Sequence, residues 1–233
     1  MWDSVSKVVV TGAAGTCGHR IVQELLSREH VKEVVSVDND EGQLFFHKQL
    51  LSQYPNLHIA MVDLRDKAGL SRAFSGADVV IHCAAYKNVP MCEMSPSSCV
   101  QVNIGGTQNV IDVAIEQCVK KVLFTSSDKA VNPTNIMGAS KLVGERLITA
   151  SNLTAGISGT CFAATRFGNV LGSTGSVLPI FVNQLKRNKK MSVTDPDMTR
   201  FMMSQKQAAT LVIESVERMV GGEIFITKNN YGK

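Results

Sequence analysis

Three glycines near the start of the chain have a spacing that suits phosphate binding. Gly12, Gly15 and Gly18 follow an apolar run of strand type and precede a segment of helical spacing. Glycines so placed allow a tight turn and a close approach of the backbone to a pyrophosphate, which N–H groups at the helix start can bind. The pattern predicts a dinucleotide site, with a ligand-free structural turn as the alternative. The predicted binding residues of this loop are Gly12, Ala14, Gly15, Thr16, Cys17 and Gly18.

Acidic residues end the next two predicted strands. Asp38 comes 20 residues after Gly18. A carboxylate there can accept hydrogen bonds from an adenosine ribose and would repel a 2′-phosphate, so NAD is favoured over NADP as the cofactor. Asp63, followed by Leu64, is a candidate for the adenine edge. The alternative role for Asp63 is a helix cap.

The fourth predicted strand ends in small residues. Ala84 and Ala85, followed by Tyr86, would let a dinucleotide lie against the backbone. His82 lies within the apolar run, and we interpret it as a packed core histidine rather than a base. Asn103 is a poor helix former in the middle of a predicted helix, which indicates a packing or hydrogen-bonding role.

A hydroxyl, a carboxyl and an amine stand side by side at the end of the fifth predicted strand, as Ser127, Asp128 and Lys129. The following helix carries Met137 and Lys141, whose spacing places both side chains on one face. Adjacent strand residues point to opposite faces, so the chain must leave extended geometry at Asp128 if carboxyl and amine are to face one ligand. A surface ion pair is the alternative interpretation of these two residues.

Apolar runs of strand type alternate with segments of helical spacing along residues 1–168. This alternation is typical of βαβ units around a parallel sheet. The predicted strands are Lys7 to Thr11, Glu33 to Asp38, Leu57 to Val62, Asp78 to His82, Lys121 to Ser126 and Cys161 to Phe167. Together they predict an α/β fold with a Rossmann-like, doubly wound parallel sheet.

The regular alternation of strand and helix segments ends after Asn169. The predicted elements there are helices at Leu178 to Arg187 and Gln205 to Arg218, and strands at Met191 to Thr194 and Glu223 to Thr227. We interpret residues 169–233 as a small substrate-binding region, interleaved with a dinucleotide-binding domain of residues 1–168. This region is expected to lie over the carboxyl ends of the strands, where open α/β sheets bind ligands.

Composition excludes several classes of protein. The chain has 233 residues, 19% of them charged, and a formal net charge of +4. Its basic residues are dispersed and lack interleaved aromatics, which disfavours nucleic-acid binding. No apolar run approaches the roughly 20 residues that cross a bilayer, so no membrane span is expected. The six cysteines form no CxxC pair, and we therefore expect reduced thiols, a cytoplasmic location and no metal.

Longer runs at four places resemble one family, the extended short-chain dehydrogenase/reductases, and within it the UDP-N-acetylglucosamine 4,6-dehydratases of flagellin glycosylation and capsule biosynthesis. The four runs are Ala84 to Pro90, Ser127 to Asn135, Arg166 to Gly172 and Met198 to Phe201. The superfamily pattern is Tyr-x-x-x-Lys. Here Met137 occupies the tyrosine position, as in some branches that the sequence resembles.

The resemblance implies a hydro-lyase that converts a UDP-sugar to a 4-keto-6-deoxy product in glycan biosynthesis. It makes Asp128 the acid for the departing 6-hydroxyl, Lys129 the base at C5, and Ser127 a hydrogen-bond partner of the 4-hydroxyl or ketone. Lys141 is expected to bind the nicotinamide ribose. Asp128 or Tyr86 must take the 4-hydroxyl proton, and Asp128 is preferred.

Substrate contacts also follow from the resemblance. Lys87, Asn169 and Arg200 match positions near the nucleotide diphosphate and the hexose, and an arginine suits a diphosphate because it offers forked, permanently charged donors. Arg166 is a weaker candidate, with a structural pairing as the alternative. Further candidates for the hexose pocket are Glu93 and Met137, and for Met137 core packing is the alternative.

Two other functions stay open at this point. A nucleotide-sugar 4-epimerase needs no C5 base, and a non-catalytic NAD(P)-binding sensor or scaffold would tolerate the missing tyrosine. Family members continue beyond the strand that ends near Thr227, so the substrate region of this chain is expected to be incomplete. A homo-oligomer is expected by family analogy, paired through the helices that include Ile104 to Ile115 and Leu142 to Ile148.

Overall fold

The structure is a computed structural model that describes residues 2–173, 175–193, 195 and 197–227, with the backbone alone at Asp3 and Ile157. The strands within these residues are β1 (Lys7–Thr11), β2 (Glu33–Asp38), β3 (Leu57–Met61), β4 (Val79–His82), β5 (Lys121–Ser127), β6 (Cys161–Phe167), β7 (Asn169–Val170), β8 (Met202–Met203) and β9 (Ile224–Ile226). The α-helices are α1 (Thr16–Leu26), α2 (Glu41–Leu50), α3 (Lys67–Phe74), α4 (Val89–Met94), α5 (Pro96–Val100), α6 (Gly106–Glu116), α7 (Ile136–Thr154), α8 (Val177–Lys186) and α9 (Gln205–Arg218). A π-helical segment, Gln101–Gly105, joins α5 to α6, and a 3₁₀ turn, Asp128–Ala130, follows β5.

Seven of these strands form one parallel sheet in the order β3-β2-β1-β4-β5-β6-β9. The chain runs outward from β1 to β3 and then crosses back to β4, so the direction of winding reverses between β1 and β4. Loops diverge at such a point and leave a crevice at the carboxyl ends of the strands. The predicted doubly wound fold is confirmed.

Helices cover both faces of the sheet. Apolar residues of α1 and α9, such as Ile21, Leu25 and Val212, pack on one face with strand residues. On the other face, α3 and α6 contribute to a second core that includes Phe74 and Ile111. The sheet is therefore buried on both sides, which explains why its strands read as apolar runs rather than as alternating patterns.

The boundaries predicted for the first six strands agree with the structure to within one residue. Three of them differ by one residue: β3 ends at Met61, β4 begins at Val79, and β5 continues to Ser127. These differences are at strand ends, where the next residue already belongs to the loop. The extension of β5 carries Ser127 into the ladder, since Ser127 pairs with Phe167 of β6.

The strand predicted at Met191 to Thr194 was wrong for its described part. Residues 191–193 form no strand, and Thr194 lies outside the described residues, as do the last six residues, 228–233. The Ser192 backbone N–H donates to Gln184 Oε1 at 3.1 Å. A side chain of α8 thus takes the hydrogen bond that a strand neighbour would have accepted.

Residues after β6 form a small structure beside the main sheet before they return to it. β7 pairs in parallel with β8 through Asn169 and Met202. A Cβ atom on Gly168 would lie 2.5 Å from the carbonyl oxygen of Phe201, so only glycine permits this approach. Farther along, α9 packs near α1, and β9 joins the edge of the main sheet beside β6.

Gly12 makes the turn between β1 and α1 possible. Its φ angle is +67°, and a Cβ atom there would lie 2.6 Å from the backbone nitrogen of Ala84. Both the left-handed conformation and the close approach exclude a larger residue. The turn therefore holds the loop after β1 against the loop after β4.

A buried histidine of α2 is hydrogen-bonded to both α1 and β2. His47 of α2 is 2% exposed. One of its ring nitrogens lies 2.9 Å from Ser36 Oγ in β2, and the other lies 2.8 Å from Nδ1 of His19 in α1. Burial and the neighbouring His19 lower the pKa of His47 to about 4. His47 is therefore neutral in the folded chain at neutral pH.

Every helix among the described residues is too short or too polar to span a bilayer.

The Gly12 turn can be tested against a matched glycine. Gly76 has a φ angle of +69° but open space where its Cβ would be. We expect Gly76→Ala to cost about 1 kcal/mol of the free energy of unfolding, because only the left-handed conformation is strained. Gly12→Ala should cost about 3 kcal/mol or more, since it adds a backbone overlap. Urea denaturation measures both, and equal losses would contradict the steric argument.

The pH dependence of stability tests the His47 cluster. Below about pH 6.5 the unfolded chain binds a proton at His47 that the folded chain excludes until the pH approaches 4. The free energy of unfolding should therefore fall by about 2 kcal/mol between pH 6.5 and pH 5 on account of this group. Urea denaturation of the wild type and of His47→Gln should show the smaller pH slope in the variant; identical slopes would rule the interpretation out.

Candidate active site

A pocket of about 800 Å³ opens at the carboxyl ends of the strands. The predicted site residues that line it are Gly12, Gly15, Thr16, Cys17, Gly18, Asp38, Asp63, Leu64, Ala84, Ala85, Tyr86, Lys87, Ser127, Lys129, Met137, Lys141, Asn169 and Arg200. Ala14 and Asp128 are not in the lining, although each is hydrogen-bonded to a residue that is. One cavity thus joins the residues predicted for the cofactor with those predicted for the substrate.

The glycine-rich loop presents the start of α1 to this pocket. The N-cap residue of α1 is Gly15, which has no side chain that could accept from the N–H groups at the start of the helix. A Cβ atom on Gly18 would collide with the carbonyl oxygen of Gly12. Helix start and loop are packed as closely as a bound pyrophosphate requires.

Asp38 is fixed at the end of β2 by three backbone N–H groups. Its Oδ2 accepts from Ala14 at 3.1 Å, and its Oδ1 accepts from Asn39 at 2.9 Å and from Asp40 at 3.2 Å. A carboxylate has about four acceptor positions. One position therefore remains for a ribose hydroxyl, and the N–H of Ala14 serves Asp38 rather than a phosphate.

Asp63 lines the pocket but has a partner that the sequence analysis did not include. Arg65 donates to Oδ1 from its backbone N–H and from Nε, each at 2.9 Å, and to Oδ2 from Nη2 at 2.8 Å. Asn39 donates to Oδ2 at 3.1 Å, so all four acceptor positions are taken. The hydrogen bonds from Arg65 hold the pKa of Asp63 well below its usual range. An adenine amino group would have to displace one of these donors. The helix-cap alternative was wrong, because Asp66 caps α3 by accepting from Gly69.

His82 and Asn103 have structural roles. His82 is fully buried between the hydroxyls of Thr11, at 2.7 Å, and Thr107, at 3.1 Å. Burial lowers the pKa of His82 to about 3, so it is a neutral core residue, as predicted. Asn103, in the π-helical segment, accepts from the backbone N–H of Tyr86 at 2.7 Å and donates to its carbonyl oxygen at 2.9 Å.

Asp128 and Lys129 lie in the 3₁₀ turn, where the backbone leaves the extended conformation that Ser127 still has. Lys129 Nζ lies 3.0 Å from Asp128 Oδ1, and Ser127 Oγ donates to the same oxygen at 3.0 Å. The side chains of Asp128 and Lys129 are 26% and 36% exposed. The pair is partly buried beside the pocket, and the turn removes the obstacle that strand geometry posed.

Lys141 faces the same end of the pocket from α7. It is 6% exposed, and its Nζ donates to the carbonyl oxygen of Thr125 at 2.9 Å and lies 4.6 Å from the ring centre of Phe124. Burial lowers the pKa of Lys141 to about 8. The Lys141 ammonium group therefore loses its proton closer to neutral pH than an exposed lysine does.

Met137 both lines the pocket and packs in a small core. It is 3% exposed and contacts the buried Cys92 and Cys99. The two interpretations of Met137 are thus not exclusive. Glu93, by contrast, is absent from the pocket lining, and its Oε1 accepts from the backbone N–H of Ile136 at 2.7 Å. It caps the start of α7 instead of lining a hexose pocket.

The candidate cations differ in whether they have partners. Arg166 is not in the pocket lining and forms a structural pair, since it donates from Nε and Nη2 to both oxygens of the buried Glu145, at 2.8 and 2.7 Å. Lys87 has no hydrogen bond or ion pair with any residue that the structure describes, and desolvation lowers the pKa of its ammonium group. Within the same described part of the chain, the Arg200 side chain donates only to the carbonyl oxygen of Thr199, at 2.8 Å.

Sequence reasoning missed the contact between Lys129 and Asn169. Lys129 Nζ donates to Asn169 Oδ1 at 2.9 Å, across 40 residues of sequence. The signal was present in the strand predictions: Ser127 and Phe167 are neighbours in the β5–β6 ladder, and Lys129 and Asn169 each follow two residues later. It also missed the Thr125 carbonyl as the partner of Lys141, because a backbone acceptor leaves no trace in residue type.

The chain is similar in sequence to one protein family and to several proteins of that kind. A family model described as polysaccharide biosynthesis protein matches residues 8–232. An uncharacterized membrane protein of Methanocaldococcus jannaschii is 44% identical over 221 residues, the inverting UDP-N-acetylglucosamine 4,6-dehydratase of Campylobacter jejuni 40% over 222, and the UDP-glucose 4-epimerase of Rickettsia canadensis 36% over 225. Each match covers 95% of this chain and 66% of the relative, so the chain spans about two thirds of the length of these proteins.

Solved structures agree with the fold. Pen from Bacillus thuringiensis is 43% identical with a TM-score of 0.96, over 100% of this chain and 72% of that one. DesIV, a dTDP-glucose 4,6-dehydratase from Streptomyces venezuelae solved with NAD bound, is 22% identical with a TM-score of 0.84, over 94% and 74% of the two chains. The second likeness concerns the fold alone. The chain belongs to the polysaccharide biosynthesis protein family, within the extended short-chain dehydrogenase/reductases.

Proposed function

We propose that this protein is a nucleotide-sugar 4,6-dehydratase that converts UDP-N-acetylglucosamine to a 4-keto-6-deoxy sugar, a hydro-lyase of polysaccharide biosynthesis. The observation that carries the proposal is the pairing of Lys129 with Asp128 at 3.0 Å beside a dinucleotide-type pocket. Elimination of water needs a base and an acid a few ångströms apart. The 40% identity to the Campylobacter jejuni dehydratase supports the same assignment.

The residues of the pocket fit NAD. Gly12 lets the loop after β1 lie against the loop after β4, and Gly18 lets α1 pack against Gly12, which are the close approaches of a dinucleotide-binding turn. The N-cap residue of α1, Gly15, has no side chain that would compete with a pyrophosphate for the N–H groups of the helix start. Asp38 retains an acceptor position for a ribose hydroxyl and would repel a 2′-phosphate, which favours NAD over NADP. When bound, NAD would supply the acceptor for a hydride from sugar C4 and the donor that returns it to C6. Lys141 would hold the nicotinamide ribose.

The first proton has a route that avoids the missing tyrosine. Ser127 Oγ donates to Asp128 Oδ1 at 3.0 Å. As the hydride leaves sugar C4, the proton of the 4-hydroxyl passes to Ser127 Oγ, and the Ser127 hydroxyl proton passes to Asp128. Asp128 is then protonated, which is the state that an acid needs. This route favours Asp128 over Tyr86 as the final acceptor.

Elimination then uses the two adjacent side chains. The 4-ketone acidifies the proton on C5, which Lys129 Nζ removes. The electron pair of the C5–H bond forms the C5–C6 double bond, and the 6-hydroxyl departs as water with the proton from Asp128. Neighbouring residues can serve both ends of one C–C bond because the 3₁₀ turn points them in related directions.

Recognition of the UDP-sugar is assigned to residues 169–233 together with the loop after β4. Lys87 and Arg200, whose charges no acidic side chain among the described residues neutralises, suit a diphosphate. Asn169 lines the same pocket and accepts a hydrogen bond from Lys129 Nζ. We further infer a homo-oligomer paired through α6 and α7, and a cytoplasmic location, which the free state of all six cysteines supports.

A 4-epimerase is the second candidate, favoured by the 36% identity to the Rickettsia canadensis enzyme. Epimerisation needs a group to take and return the 4-hydroxyl proton but no base at C5. The Ser127–Asp128 relay meets the first need even with Met137 at the tyrosine position. Epimerisation, however, leaves Lys129 beside the pocket without a role, and this favours the dehydratase. A non-catalytic dinucleotide sensor likewise leaves the Asp128–Lys129 pair unexplained.

One experiment separates these functions. The protein is incubated with UDP-N-acetylglucosamine and NAD in deuterated water, and the sugar is followed by NMR. A 4-keto-6-deoxy product labelled from solvent is the expected result. A C4 epimer would replace the proposal with the second candidate, and unchanged sugar with bound NAD would leave a dinucleotide-binding protein.

The role of Lys129 is tested by substitution. Lys129→Ala should lower turnover at least 1,000-fold while NAD still binds, because the C5 base is removed and the glycine-rich loop is untouched. Lys48→Ala, at an exposed lysine of α2, is the matched control and should retain full turnover. Retained turnover in Lys129→Ala would remove Lys129 from the C5 step.

A further inference from the structure

Among the residues that the structure describes, the Lys129 amine has two hydrogen-bond acceptors. Nζ donates to Asp128 Oδ1 at 3.0 Å and to Asn169 Oδ1 at 2.9 Å. An ammonium group has three hydrogens, and these two acceptors account for two of them. Because Lys129 lines the pocket, the third position on the nitrogen is left for a ligand there. Loss of that third proton would leave a lone pair in the same direction.

Asn169 is held firmly enough to fix this direction. It begins β7, and its backbone N–H donates to the carbonyl oxygen of Phe201 at 2.6 Å, next to the pairing of β7 with β8. Gly168 permits that contact, because a Cβ atom would lie 2.5 Å from the same carbonyl oxygen. The small sheet beside the main one therefore sets the position of the Asn169 amide.

We propose that Asn169 is a positioning residue that orients Lys129 for the C5 proton, and not primarily a contact to the substrate. The proposal rests on the proposed dehydratase function. With two Nζ hydrogens held by Asp128 and Asn169, the neutral amine directs its lone pair into the pocket. There it forms a new N–H bond with the C5 proton, as the C–H electron pair moves into the sugar.

An amide suits this role better than a carboxylate would. Asn169 accepts a hydrogen bond without adding negative charge, whereas a second carboxylate beside Nζ would favour the ammonium form and oppose its loss of a proton. Asp128 already supplies one negative charge at 3.0 Å. A neutral second acceptor fixes the geometry while leaving the amine able to act as a base.

The test compares Asn169→Ala and the nearly isosteric Asn169→Asp with the wild type. Asn169→Ala should lower kcat about 10- to 100-fold and leave KM for the UDP-sugar within about threefold, because misdirection of a catalytic group affects the chemical step. Asn169→Asp should move the rising limb of the kcat–pH profile upward by about one pH unit. Gln53→Glu, at an exposed glutamine in the turn after α2, makes the same change from amide to carboxylate and should move neither.

Several outcomes would overturn the inference. A raised KM with unchanged kcat in Asn169→Ala would make Asn169 a substrate-binding residue, and an unmoved pH profile in Asn169→Asp would remove its influence on Lys129. Absence of product with the wild type would contradict the proposed function itself. The inference is then decided by NMR titration of the Lys129 Cε signal, identified by its loss in Lys129→Arg. The midpoint should rise by about one pH unit in Asn169→Asp, and an unchanged midpoint would contradict the proposal.

Discussion

The Lys129 amine is shared between a carboxylate one residue away and an amide 40 residues away, and much of the fold serves that arrangement. β5 and β6 must be neighbours for the two loops to meet, and β5 must end in a turn for Asp128 and Lys129 to face related directions. The Gly168–Phe201 contact then fixes the amide. A change in any of these three features would alter the position of the amine relative to the pocket.

The same principle of one polar group joining two loops recurs at the cofactor end. Asp38 ties the end of β2 to the glycine-rich loop through Ala14, and Asn103 ties the π-helical segment to the loop after β4 through Tyr86. His82 joins β1 to the following helix layer through two threonines. Buried polar groups need hydrogen-bond partners. Here the partners are other residues of the chain, and these internal hydrogen bonds hold the walls of the pocket in place.

Methionine at position 137, where the superfamily has a tyrosine, determines which groups the proposed mechanism can use. Met137 is packed against two buried cysteines and cannot move a proton. In the proposed mechanism the end of β5 does this instead, with Ser127 as relay, Asp128 as acid and Lys129 as base, and these three residues are linked by hydrogen bonds. Lys141 is buried over the Phe124 ring, and its proposed role is to hold the nicotinamide ribose.

The sequence by itself determined the doubly wound sheet, the glycine-rich turn and a set of site residues, nearly all of which line the pocket. These depend on apolar periodicity, on residues with unusual backbone freedom and on the rule that parallel strands end at one edge, all of which are visible in residue order. Only the tertiary structure decided which polar groups are hydrogen-bonded to each other. The pairs are Arg65 with Asp63, Arg166 with Glu145, Ile136 with Glu93 and Lys129 with Asn169. Hydrogen bonds between distant residues depend on distances of a few tenths of an ångström, which the packing of whole elements sets and which residue types along the chain do not encode locally.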